Sequence, residues 1–156
     1  LNTVRKFDSP FAAQVSPPRF LADSCANVCE VLEHAGIHRI VVMSTAGVGD
    51  SWANLPWLSK AFMGWTNIKY ALEDHGLVDE EIRLTKMDWT LVRAVRLQFD
   101  DQKSPDAKTT KDVRTLGSKG DGMSLSDSVS VRSVARFLVK VAVEGLFVKS
   151  AVVVVD

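Results

Sequence analysis

Ser44 and Thr45 close a short apolar run, Arg-Ile-Val-Val-Met-Ser from Arg39 to Ser44. Polar groups at the carboxyl ends of parallel strands are where open α/β sheets bind ligands. A hydroxyl there can donate to a bound molecule or satisfy the strand-end backbone. His75 and Tyr70 follow on one long helical pattern. An imidazole, with a reference pKa of about 6.5, can hold or relay a proton near neutral pH; its plainer role is a solvent-facing side chain beside Glu73 and Asp74. Tyr70 is either a proton donor or a packing tyrosine. Trp52, Trp57, Phe62 and Trp65 cluster between the run and that helix. Four aromatics near a cleft suit a flat, apolar substrate, and they equally suit ordinary helix packing. Cys25, Cys29, His34 and His38 have the spacing of a ligand set, but His34 lies about 140° around a helix from Cys29, and His38 is across a turn. A tetrahedral site would require the helix to unwind. No metal is expected; buried thiols and surface histidines are. Asp79-Glu80-Glu81 stands at helical spacing from Arg83 and Lys86 and reads as a solvated face.

The elements that must position these residues alternate. Residues 1–19 are irregular, punctuated by Pro10, Pro17 and Pro18. Leu21, Cys25, Val28 and Leu32 recur at helical spacing, which predicts a helix over 20–35 closed at Gly36. Arg39–Ser44 reads as a strand buried on both faces. A loop over 45–56 leads to a short aromatic helical piece, 57–65. Asn67 can cap a second long helix running to about Lys86. Residues 89–94 form the next strand. Asp100–Asp112 is charged and reads as an exposed loop, and 113–116 as a short strand. Ser130 can cap a third helix with Val134, Leu138 and Val141 on one face and Gly145 at its end. Residues 151–155 complete the set. Strand, helix and strand in this order make a parallel α/β sheet.

Nineteen basic and nineteen acidic residues cancel, which leaves no footprint for nucleic-acid phosphates. No apolar run approaches the ~20 residues needed to span a bilayer, so neither nucleic acid nor a membrane is expected as partner. The first residues do not read as a signal peptide, and two cysteines make no disulfide scaffold. The expected location is cytoplasmic. Apolar residues make up 46%, enough for a real core rather than a disordered chain. The first residue is Leu, not Met, which suggests a processed, truncated or partial chain. No Gly-x-Gly-x-x-Gly follows a strand; Gly47, Gly49 and the glycines at 117–122 read as turns.

Gly-Ile-His-Arg-Ile-Val-Val-Met-Ser-Thr-Ala-Gly-Val-Gly-Asp (36–50), Asn-Ile-Lys-Tyr-Ala-Leu-Glu-Asp-His (67–75), Met-Asp-Trp-Thr-Leu-Val-Arg-Ala (87–94) and Ser-Val-Ser-Val-Arg-Ser-Val-Ala-Arg-Phe-Leu (128–138) together resemble the atypical short-chain dehydrogenase/reductase group. That group includes NmrA-like proteins and biliverdin-IXβ/flavin reductases. More narrowly, the chain is similar to averufin-oxidase-like oxidoreductases of fungal aromatic polyketide pathways. The resemblance implies a doubly wound Rossmann sheet that binds NADP(H), of which this chain is the carboxyl-terminal portion, a single domain without the Gly-rich βαβ unit. It implies that Ser44, or Thr45, hydrogen-bonds the substrate carbonyl beside the nicotinamide. It also implies that Leu1, Asn2 and Thr3, with Ser44, Thr45, His75, Arg93, Ala94 and Val95, lie along the cofactor. The group's usual Tyr-x-x-x-Lys is replaced: counted back from Trp89, His75 stands at the Lys position and Ala71 at the Tyr position, with Tyr70 shifted by one. Biliverdin-IXβ reductase-like members lack that Tyr too. The intact protein is thereby expected to be an NADP(H)-dependent oxidoreductase for a small, carbonyl or quinone-like aromatic substrate held by Trp52, Trp57, Phe62 and Trp65. A non-catalytic NADP(H)-sensing regulator and an inactive truncated product are the alternatives. An open sheet edge would let the chain self-associate.

Overall fold

The computed structural model describes residues 3–7, 9–99 and 112–156. Leu1, Asn2 and nearly all of the expected 100–112 loop lie outside these. The elements run α1 (Phe20–His34), β1 (Arg39–Thr45), a 3-10 turn (Gly49–Trp52), α2 (Trp57–Trp65), α3 (Ile68–Ile82), β2 (Asp88–Ala94), β3 (Arg96–Gln98), β4 (Arg114–Thr115), β5 (Ser128–Ser130), α4 (Val131–Val143) and β6 (Ser150–Val155). One sheet has the order β1-β2-β6-β4, with β1, β2 and β6 parallel and the short β4 antiparallel at the edge. β3 and β5 pair separately, in parallel. That pair was not expected from the sequence: three-residue strands carry too few side chains to show a period of two.

The sheet separates two apolar layers. Leu21, Ala22 and Cys29 of α1 pack with Val78 and Ile82 of α3 over Trp89 and Leu91, joined by Ile40 and Val42. Val134 of α4 packs with Val92, Ala94, Val152 and Val154 on the other side, joined by Val41. β2 and β6 are buried along nearly their whole length, as their β-branched runs demand. β1 departs from the expectation of burial on both faces. It is half-buried for most of its length, and Met43 is exposed, because among the described residues no strand pairs with its outer edge.

Helix ends follow local chemistry. Ser130 caps α4 through its Oγ, which accepts from the Ser133 N–H at 3.0 Å, as its hydroxyl should. Asn67 does not cap α3. Its own φ and ψ are helical, and its side-chain amide donates instead to the Phe11 and Ala12 carbonyls at 3.0 and 3.1 Å, holding the amino-terminal loop against the helix. α3 stops at Ile82 rather than near Lys86, where the Thr85 hydroxyl takes the Ile82 carbonyl at 2.7 Å. α1 has no cap of its own; the Asp74 carboxylate on α3 accepts from the Leu21 and Ala22 N–H groups at 2.8 and 3.0 Å. At the amino ends of the strands, Arg39 donates to the carbonyls of Asp88, Val141 and Leu146 and so ties α4's last turn to the sheet.

Candidate functional site

β1 and β2 end side by side, with Ser44 opposite Arg93 and Thr45 opposite Ala94. Side chains alternate across a strand. Ser44 and Arg93 therefore face the α1/α3 layer with Ile40, Val42, Trp89 and Leu91, whereas Thr45 and Ala94 face the opposite side.

On the α3 side, the Ser44 hydroxyl is buried and has no hydrogen-bond partner among the described residues. His75 Nδ1 is likewise buried without a partner among them. The His75 ring lines a groove of about 310 Å³ along the free edge of β1, with Leu21, Cys25, Val42, Met43 and Val78 among its walls. The neighbouring Asp74, fixed on the amino end of α1, sets the rotation of α3 that sends His75 there. Burial lowers the His75 pKa below the usual value, against the opposing charge of Asp74, so the neutral ring is favoured.

Arg93 occupies the same face and is fully buried. Its Nη2 donates to Asp79 of α3, and its Nη1 donates to Asp50 in the 3-10 turn and to the Ser118 carbonyl at 2.7 Å. Burial pushes the Asp50 carboxyl up, but hydrogen bonds from Arg93 and Ser118 and the charge of Arg93 outweigh it and hold the group below the ordinary carboxylate range. Two expectations are corrected here. The guanidinium of Arg93 is spent inside the protein, not offered to a cofactor. Asp79, placed on a solvated face from its neighbours Glu80 and Glu81, is buried; it pairs with Arg93 and, at 2.6 Å, with Arg83. Gly49 lies against this network at φ +57°, where an added Cβ would collide with the Asp79 carboxylate and stand 2.6 Å from Arg93 Nη2. The network was legible in principle: an arginine inside Leu91-Val92-Arg93-Ala94 needs a buried acid, and Asp79 shares the inward helical face of Val78 and Ile82.

On the opposite side, Thr45, Ala46, Ala94 and Val95 form the floor of a cavity of about 550 Å³, walled by Leu55, Leu58, Phe62, Met63, Leu97 and Met123, with Arg96 and Asp127 as charged groups on its lining. This is a size and composition suited to a small apolar ligand.

The four aromatics expected around the substrate are not gathered. Phe62 lines this cavity. Trp52 lines a separate hollow with Gly47, Met63 and Lys69. Trp57 and Trp65 are 73% and 91% exposed, because they point away from the sheet on α2. Tyr70 lies in another hollow, with Gln14, Pro18 and Glu73, its ring beneath Lys69 Nζ at 5.1 Å, and it is not in the His75 groove. Thr3 is half-buried in the amino-terminal loop. Cys25 and Cys29 sit on the inner side of α1. Burial, with the neighbouring Cys29, pushes the Cys25 thiol up to about 12, and burial also raises Cys29.

A profile of NAD(P)H-binding proteins matches residues 4–144. Three solved structures share the fold. ChuY, an anaerobillin reductase from Escherichia coli O157:H7, matches with a TM-score of 0.66 and 19% identity over 90% of this chain and 60% of its own. A short-chain dehydrogenase/reductase from Veillonella parvula DSM 2008, in complex with NADP, gives 0.61 and 18% over 86% and 58%. The oxidoreductase ylbE from Lactococcus lactis gives 0.59 and 14% over 83% and 51%. The chain thus spans about 60% of the length of ChuY. None of the curated proteins matches the sequence significantly.

Proposed function

The chain belongs to the NAD(P)H-binding family, and from that premise we propose that, at the length of its structural relatives, it serves an NADP(H)-dependent oxidoreductase acting on a small aromatic carbonyl or quinone-like compound. The substrate class follows the resemblance of the sequence to averufin-oxidase-like oxidoreductases. The observation that carries the reading is an apolar cavity lined by Thr45 and Ala94, at the carboxyl ends of the paired strands β1 and β2.

The residues fit the nicotinamide end of such a cofactor. Ser44 Oγ and His75 Nδ1 are buried polar atoms without a partner among the described residues, both on the α3 side of the sheet, and buried polar groups are rarely left so. The sequence offers no Gly-rich turn after a strand for the pyrophosphate, so that end is not held by these residues. When bound, the cofactor supplies a hydride. The chain's own part is to bind and orient. Thr45, whose side chain lies on the cavity side of the sheet, donates to the substrate oxygen as charge develops on it. The cavity walls exclude water. His75, on the α3 side of the sheet and kept neutral by burial, can share a hydrogen bond with ribose.

The test uses protein extended to the length of the relatives, with NADPH and a panel of a naphthoquinone, an aromatic aldehyde and a flavin. Consumption of NADPH with at least one of them is expected, and Thr45→Val should raise the barrier by about 2.7–4 kcal/mol while leaving cofactor affinity nearly unchanged. Undiminished turnover in Thr45→Val would return the hydroxyl to a structural role. A second reading, an NADP(H)-sensing regulator, is favoured by Ala71 and His75 at the usual Tyr and Lys positions; cofactor binding with no turnover across the panel would select it.

A further inference from the structure

α2 is turned inside out. Successive helical residues advance about 100°, which places Trp57, Leu58, Ala61, Phe62 and Trp65 within an arc of about 140°. On an ordinary surface helix that stripe would face the core. Here none of the helix's residues is fully buried, and the stripe is the outward side: Trp57, Leu58, Phe62 and Trp65 are 73%, 46%, 50% and 91% exposed. The half-buried residues Ser59, Lys60 and Met63 fall on the remaining arc. Isolated exposed apolar residues are normal, but a contiguous stripe marks an interaction surface.

We propose that this stripe docks on a lipid surface, with α2 lying in the headgroup region and the neighbouring cavity opening toward the acyl chains. Three observations select a bilayer. First, tryptophans stand at both ends of the stripe with Leu58 and Phe62 between them, and tryptophan is the side chain most at home at the membrane–water boundary. Second, α2 carries no carboxylate. Its one charge, Lys60, is folded back to the Ala53 carbonyl at 3.0 Å and over the Trp52 ring, clear of the stripe, and Lys69 follows at the start of α3. Cations beside an apolar stripe complement anionic headgroups. Third, at their observed exposure the four large side chains present on the order of 500 Å², taking about 200 Å² for each when fully exposed. Two such stripes pressed together would bury about 1,000 Å², short of the roughly 1,200–2,000 Å² of a stable protein interface. A lipid surface has no such threshold.

Leu58 and Phe62 belong both to the stripe and to the walls of the 550 Å³ cavity. Docking would therefore bring the cavity wall to the place where flat apolar molecules partition. Such lying-on differs from spanning, and no helix among the described residues is long and apolar enough to cross a membrane. Delivery of substrate from lipid rests on the proposed oxidoreductase reading; docking itself does not, and it is measured without turnover.

The experiment is co-sedimentation of the full chain with vesicles of phosphatidylcholine, alone and with phosphatidylglycerol, alongside tryptophan emission and size-exclusion chromatography. The chain should bind, more tightly to the anionic vesicles, with a blue shift. Trp57→Ser with Trp65→Ser should weaken partitioning at least tenfold. Val139→Ser with Val143→Ser, which removes two exposed apolar residues of α4, should leave it unchanged. No binding by the parent chain overturns the proposal, as does equal loss in both double variants or no loss in the first. Self-association that Trp57→Ser/Trp65→Ser abolishes, without vesicle binding, would make the face a protein contact and also overturn it.

Discussion

Replacing Arg93 by Met should remove a large share of the stability of the fold. The guanidinium is fully buried and serves Asp79, Asp50 and the Ser118 carbonyl at once. Removing one partner of a buried ion pair costs about 3–5 kcal/mol, because the other charge stays behind. Asp79 retains Arg83 at 2.6 Å, whose side chain is 44% exposed, which argues for the lower end, about 3 kcal/mol. The abandoned Ser118 carbonyl adds up to about 1 kcal/mol. The sum, about 3–4 kcal/mol, compares with the ~5–15 kcal/mol that holds a typical domain together. Urea unfolding followed by the emission of the buried Trp89 measures it. With a slope of about 2 kcal/mol per molar, the midpoint should fall by roughly 1.5–2 M at unchanged slope. Arg93→Met combined with Asp79→Leu removes both charges and should recover at least half of the loss, since an apolar pair of similar volume is often no worse than a buried ion pair. A single-variant shift below about 0.5 M, or a double variant as weak as the single one, would refute the view that an uncompensated carboxylate is what the fold cannot tolerate.

Gly49→Ala should destabilise by more than the ~1–2 kcal/mol of a left-handed alanine, because its Cβ also strikes the Asp79–Arg93 pair. Gly76→Ala, in open space on α3, should stabilise by about 0.5–1 kcal/mol; thermal unfolding of the two variants must show opposite signs. The depressed His75 pKa means that the fold holds the neutral ring. Its stabilising effect is complete above the unfolded value of about 6.5 and is lost as pH falls toward the folded value. His75→Gln should therefore flatten the fall in urea midpoint between about pH 7.5 and 5.5, and an unchanged slope would return the ring to solvent. Cys25 and Cys29, with thiols raised by burial, should react slowly with Ellman's reagent at about pH 8 and fully in urea; rapid native-state labelling would contradict their packing.

Local periodicity carried most of the fold. α1 and α4 begin where the capping and spacing of Phe20 and Ser130 placed them, and the strands at 39, 89 and 151 are within a residue of their observed starts. Pairings across long separations were not readable. Arg93 meets Asp50 from 43 residues away, and no window of sequence shows that a charge in one loop answers a charge in one strand. The same limit hid Asp79: helical spacing to Arg83 and Lys86 is satisfied on either face of α3, and only the packed sheet decides which. The orientation of α2 was equally hidden. Its stripe has the period of a buried face, so the sequence assigned Trp57 and Trp65 to a cleft that the assembled chain puts behind them.

The absence of a local cap on α1 has a kinetic consequence. Nucleating a helix is the costly step, and here the two amides of its first turn find their acceptor 53 and 52 residues away, on Asp74. Closing a loop of that length is an entropic cost that must be met before the contact repays it. The amino end of α1 therefore belongs to the late side of the folding barrier, after α3 has docked, whereas α4, capped by Ser130 three residues from its own target, can begin alone. The residue after Asp74 is His75. One contact thus completes the last helix end and turns the imidazole into its groove, so a partly folded chain has neither a finished α1 nor an ordered His75 face.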